Sequence, residues 1–184
     1  MKIKQKQIDK IIKFYKAQKY NEAEKLALKL LALVPLHTTI INLLAAVYKS
    51  KNENELAKKY FLKAITVNPT DFSAYNNLGL IYFEEIDFIK AKEMFEKSLS
   101  MNAVTPAVYA NFANVYLEEQ NYTQAEKLYS QAISLGLNTY FVYHGLAKLY
   151  MAIGELVSAE KMFKKAILLN PTQSDLVFEY SLFV

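Results

Sequence analysis

The sequence predicts an all-α protein, built as a row of antiparallel helix pairs stacked side by side. Three observations lead there. A pattern of small, aromatic and aliphatic residues returns every 34 positions without a gap. Within each return the apolar residues fall three and four apart, as one face of a helix requires. Four Gly and four Pro in 184 residues are too few breakers for a fold of many short strands.

The period is read from "ELAKKYFLKAITVNP" (55–69), "IKAKEMFEKSLSMNA" (89–103), "TQAEKLYSQAISLGL" (123–137) and "VSAEKMFKKAILLNP" (157–171). A small residue recurs as Ala57, Ala91, Ala125 and Ala159. Four positions on comes a ring, Phe61, Phe95, Tyr129 or Phe163, and three further Ala64, Ser98, Ala132 or Ala166. Upstream of each lies another helical segment. Its apolar marks are Ile41/Leu44/Tyr48, Tyr75/Leu78/Tyr82, Tyr109/Phe112/Tyr116 and Tyr143/Leu146/Tyr150, with Ala45, Gly79, Ala113 or Ala147 among them. The small residue lets a neighbouring helix come close and the ring fills the space beside it, which is how helices interdigitate at interior density.

Taken in order, the first unit, 4–37, is degenerate. Its second helix carries Ala23, Leu30 and Pro35, but its first has Gln7 and Lys10 where core marks belong. Ile8, Ile11, Ile12 and Tyr15 still form a stripe, flanked by lysines, as expected of a capping helix with one face docked and the other wet. Four full units follow at 38–71, 72–105, 106–139 and 140–173. Asn68-Pro69-Thr70-Asp71 and Asn170-Pro171-Thr172 are breaker-and-cap clusters between units, and Thr105-Pro106 reads as an N-cap followed by Pro at the first helical position. Gln120-Asn121 and Gly154 mark turns inside units. Residues 174–184, "SDLVFEYSLFV", begin a further unit or form a terminal helix.

This pattern resembles the tetratricopeptide repeat, an antiparallel helix pair of 34 residues. The resemblance covers nearly the whole chain. It implies a right-handed superhelix, an α-solenoid of about five units plus a partial terminal helix, forming a single array over 1–184. The usual Trp-like first mark is Ile or Tyr here. The closing Pro survives as Pro69 and Pro171 and is replaced by Ala103 and Leu137.

The resemblance also implies that the first helix of each unit lines a concave groove, so that the fold serves protein–protein interaction and not catalysis. Unit positions 2, 5, 6, 9 and 12 then face the groove, and the asparagines there stand out. They are Asn42, Asn76, Asn77, Asn111 and Asn114, an amide-rich strip able to pair with both the N–H and the C=O of a peptide. The strip is similar to the asparagine ladder of O-linked N-acetylglucosamine transferase repeats, interrupted here by Leu43 and Gly145. Phe83, Leu117 and Met151 add apolar anchors at position 12, where the earlier unit has Lys49; His144 and Lys148 give the last unit a polar end. The competing reading is that these asparagines are simply solvated and the apolar three tuck into packing. A clamp for acidic chaperone tails is not expected, since Ile8, Ile12, Leu43, Ser73 and Asn77 stand where its cations belong.

Composition narrows the remaining classes. The formal net charge is +4, but residues 1–20 hold seven Lys and one Asp, while the other 164 hold 15 Lys and 17 acids. Every basic residue is Lys, and without Arg sequence-specific nucleic-acid reading is not expected. The basic first helix leaves open an adaptor role at an anionic membrane surface or on nucleic acid. No Cys is present, no Gly-rich phosphate loop and no metal-ligand spacing, so no cofactor is expected. Glu84-Glu85 and Glu118-Glu119 repeat with the unit and read as solvated helix ends. With neither a secretory signal nor an 18-residue apolar run, no transmembrane segment is expected and the cytoplasm is the default location. The apolar stretch Leu176–Val184 suggests that the native chain continues or that two copies associate there. Continuation would make the array the substrate-recruiting module of a larger glycosyl- or sulfotransferase.

Overall fold

The computed structural model describes residues 5–101 and 105–183. Lys2, Lys4, Ala103 and Val184, used in the sequence reading, fall outside them. Among the described residues there are eleven helices and no strand: α1 (Gln5–Lys16), α2 (Tyr20–Leu33), α3 (Thr38–Ser50), α4 (Asn54–Val67), α5 (Phe72–Glu84), α6 (Phe88–Ser100), α7 (Pro106–Glu118), α8 (Tyr122–Ser134), α9 (Tyr140–Ala152), α10 (Leu156–Leu169) and α11 (Ser174–Phe183). They fall into two compact units, Met1–Ala103 and Val104–Val184.

In the first unit α1 packs on α2, α3 on α4 and α5 on α6, and successive pairs join through α2 against α3 and α4 against α5. In the second, α7 packs on α8 and α9 on α10, with α8 against α9 and α10 against α11. The recurring small residues and rings are its cores. Ala45, Phe61, Ala91 and Phe95 are buried in the first unit, Ala113, Tyr129, Ala147 and Phe163 in the second. Gly79 shows how tight the fit is. A Cβ built on it would stand 2.7 Å from Cε1 of Phe95. Ser98, in the place of an alanine, buries a hydroxyl and donates it to the Phe72 carbonyl at 2.8 Å.

Each helix pair reverses direction on one left-handed residue. Gln18, Asn52, Ile86, Gln120 and Gly154 have φ of 57°, 60°, 63°, 60° and 79°. They recur at the repeat spacing. Asn and Gly accept this conformation readily; a β-branched Ile does not. Helix starts are capped unevenly. Asp71, Asp87 and Asn121 accept from the backbone N–H of Ala74, Lys90 and Gln124. Thr105 stands at the N-cap before Pro106, as expected, but its hydroxyl makes no capping bond. His37 is half-buried at the N-cap of α3, makes no side-chain cap, and has Nδ1 buried without a partner.

Polar contacts also follow the period. Tyr48 donates to Glu24 at 3.1 Å and Tyr150 to Glu126 at 2.6 Å, both 24 residues back. At the equivalent place Lys58 lies over the Tyr82 ring, 5.9 Å from its centroid. Burial and then the Glu24 bond push the Tyr48 phenol up to about 12; the Glu126 bond and then burial do the same for Tyr150. Glu84 and Glu85 are exposed at the end of α5 and also carry ion pairs. They pair with Lys49 at 2.7 Å and Lys58 at 3.0 Å, because the ends of α3 and α4 stand beside that of α5.

Two substitutions test this account. Ile86→Asn, matching Asn52, is expected to relieve the turn and gain about 1 kcal/mol, seen as a higher urea midpoint. Gly79→Ala is expected to cost about 1–3 kcal/mol on the same assay, because the buried Phe95 ring has nowhere to retreat.

Candidate functional site

The expected groove residues lie on α3 and α5 in the first compact unit and on α7 and α9 in the second. In the first, Asn42 on α3 and Asn77 on α5 line one cavity of about 450 Å³. Thr39, Leu43, Asp71 and Ser73 share its walls. The repeat explains the meeting, since α3 and α5 are first helices of neighbouring pairs and present equivalent positions. Asn76, the other member of the adjacent pair, is half-buried and does not line it. Phe83 packs against Phe88, ring centroids 5.9 Å apart.

The amides here are not idle. Asn42 donates Nδ2 to the Asp71 carboxylate at 2.6 Å, and its Oδ1 is buried with no partner. Asn77 donates Nδ2 to the Ser73 carbonyl of its own helix at 2.8 Å. Each nitrogen keeps a second hydrogen, while the acceptor oxygen of Asn42 is closed off by burial. Asp71, which the sequence reading treated only as a cap, is buried. It holds both the start of α5 and the Asn42 side chain.

In the second unit, Asn111, Asn114 and Leu117 lie half-buried on α7. Asn114 has a structural duty, accepting the hydroxyl of Tyr129. Burial, with the Glu118 charge second, pushes that phenol well above its ordinary range. A ring with a hydroxyl needs room, and Gly145 supplies it; a Cβ there would stand 2.5 Å from Cζ of Tyr129. Gly145 therefore breaks the asparagine strip for a packing reason.

Lys148 and Met151 on α9 line a second cavity, of about 490 Å³, with Ala152 and with Glu179, Leu182 and Phe183 of α11. His144 and Glu179 meet at 2.7 Å between Nε2 and Oε2, and Lys148 lies 3.7 Å from the other oxygen. Glu179 was not among the expected site residues. The signal for it was the repeat itself. Lys49 reaches Glu84, and Ser50 Tyr15, across the same 35-residue interval that joins His144 to Glu179. On α11, Leu176 is buried and Val177, Phe178 and Leu182 are exposed.

The comparisons with known proteins agree with this architecture. A family model described as tetratricopeptide repeat matches residues 72–105, 106–135 and 142–173, and a second, described as TPR repeat, matches 45–85. No curated protein matches the sequence. Among solved structures, pilF of Pseudomonas aeruginosa is 19% identical, covering 97% of this chain and 86% of its own, at a TM-score of 0.83. A thermophilic TPR protein of Thermus thermophilus is 19% identical, with 97% of both chains covered and a TM-score of 0.80. YrrB, described as a TPR protein with an unusual peptide-binding site, is 20% identical, covering 85% of this chain and 81% of its own at 0.67. At these identities the likeness is one of fold.

The Asn114–Tyr129 bond can be weighed directly. Asn114→Ala is expected to cost about 1–3 kcal/mol by orphaning a buried hydroxyl, and the double change with Tyr129→Phe less than the two single costs added. Urea unfolding of the four proteins reads this coupling.

Proposed function

Because the chain belongs to the tetratricopeptide repeat family, we propose that it is a non-catalytic scaffold holding a peptide segment of a partner protein. The observation that supports this most is the cavity between α3 and α5. Amides and hydroxyls from Asn42, Asn77, Thr39 and Ser73 stand there beside the apolar side chain of Leu43. An extended peptide presents N–H and C=O groups at every residue and needs partners of both kinds. Half-exposed amides on a rigid helix provide them without reading side chains. The apolar cavity beside Met151 suits an anchoring side chain of a peptide. Asn77 carries the proposal better than Asn42 or Asn114, whose contacts tie separate helices together.

The test is capture of partners from the source cell by wild type and by the Asn77→Ala/Asn111→Ala protein, read by mass spectrometry. Alanine favours both helices, so circular dichroism should show the fold intact. Specific partners are expected to drop out of the variant list. An unchanged list from a folded variant would overturn the role of these amides.

A further inference from the structure

A different surface, on α1, carries a row of lysines. Lys6, Lys10, Lys13 and Lys16 are spaced i, i+4, i+7 and i+10, which aligns them along one side over about 15 Å. Ile8 and Ile11 point the opposite way and are buried. All four lysines are exposed, and Lys19 continues the series in the following turn. Asp9 is the acid among them, and its carboxylate takes the Gln5 amide at 3.0 Å. Lys10 lies 5.6 Å from the centroid of the Phe14 ring.

Several lysines elsewhere are paired. Lys49, Lys51, Lys58, Lys90, Lys97, Lys148 and Lys164 each meet a carboxylate. Among the described residues no ion pair involves a lysine of α1. The row, with Asp9 its one acid, therefore carries a net positive charge and is held by the docked apolar face beneath it.

We infer that the lysine edge of α1 is a docking surface for an anionic lipid bilayer, held at the headgroups by charge alone. Charge complementarity identifies the occupant. Lysine is a hydrated point charge, suited to loosely placed phosphates and not to base edges, which Arg reads better. Phe14 and Tyr15 are half-buried, so the row has no open ring on which bases stack. Because Ile8 and Ile11 are committed to the core, the helix cannot sink into the acyl region without leaving its unit. The attachment is thus peripheral and reversed by salt.

The test is co-sedimentation of the full chain with phosphatidylcholine vesicles, with or without one-third phosphatidylglycerol. Binding is expected on the anionic vesicles alone and should vanish as salt rises above the physiological level. Changing Lys6, Lys10, Lys13 and Lys16 to Gln should weaken it several hundredfold, from roughly fivefold per lysine at low salt. Lys59→Gln/Lys127→Gln/Lys161→Gln, at exposed positions elsewhere, should leave it within about twofold if only α1 carries the effect. Three results would each overturn the proposal: no binding to anionic vesicles, equal loss in both variants, or tighter lysine-dependent binding to duplex DNA or RNA than to vesicles.

Discussion

Steric fit between a ring and the small residues facing it governs each helix pair. At Gly79 even a methyl group is excluded by Phe95, and Gly145 stands in the same relation to Tyr129. Such contacts set how near two helix axes come, and near approach is what buries the remaining aliphatic residues. Everything on the outer faces inherits its position from them. A side chain on α3 finds its counterpart on α5 because both helices are seated by the same kind of contact.

The polar contacts then act as a second register. Tyrosines reach 24 residues back to Glu24 and Glu126, and ion pairs reach 35 residues forward from Lys49 and His144. Exposed pairs of this sort add little stability singly. Their value lies in geometry, since a slip of one residue in either helix would break several together. The first unit uses Asp71 for the same end, joining a helix start to Asn42 across the cavity wall.

Much of this was legible in the sequence. The period located the helix pairs, and Gln120-Asn121 and Gly154 announced turns because amide and glycine residues accept positive φ. Ile86 gave no such signal; it adopts φ of 63° because its neighbours impose the turn. The amide strip was legible as composition and not as chemistry. Nothing near Asn114 in sequence says that a phenol on the next helix needs it, and Asn42 likewise meets Asp71 only after the chain has run through α4. Residues whose partners sit one period away could be read from the repeat. Residues whose partners arise from a local exchange, such as Phe for Tyr at 129, could not.

The group of Asn114, Tyr129 and Gly145 is also coupled in what it can accept. A larger side chain cannot enter position 145 while the Tyr129 ring stands where it does. The hydroxyl in turn keeps Asn114 engaged. Placing an asparagine at 145 therefore requires a smaller residue at 129, and without it meets a collision. The last full repeat thus differs from the others at this position because of what packs against it, independently of any ligand.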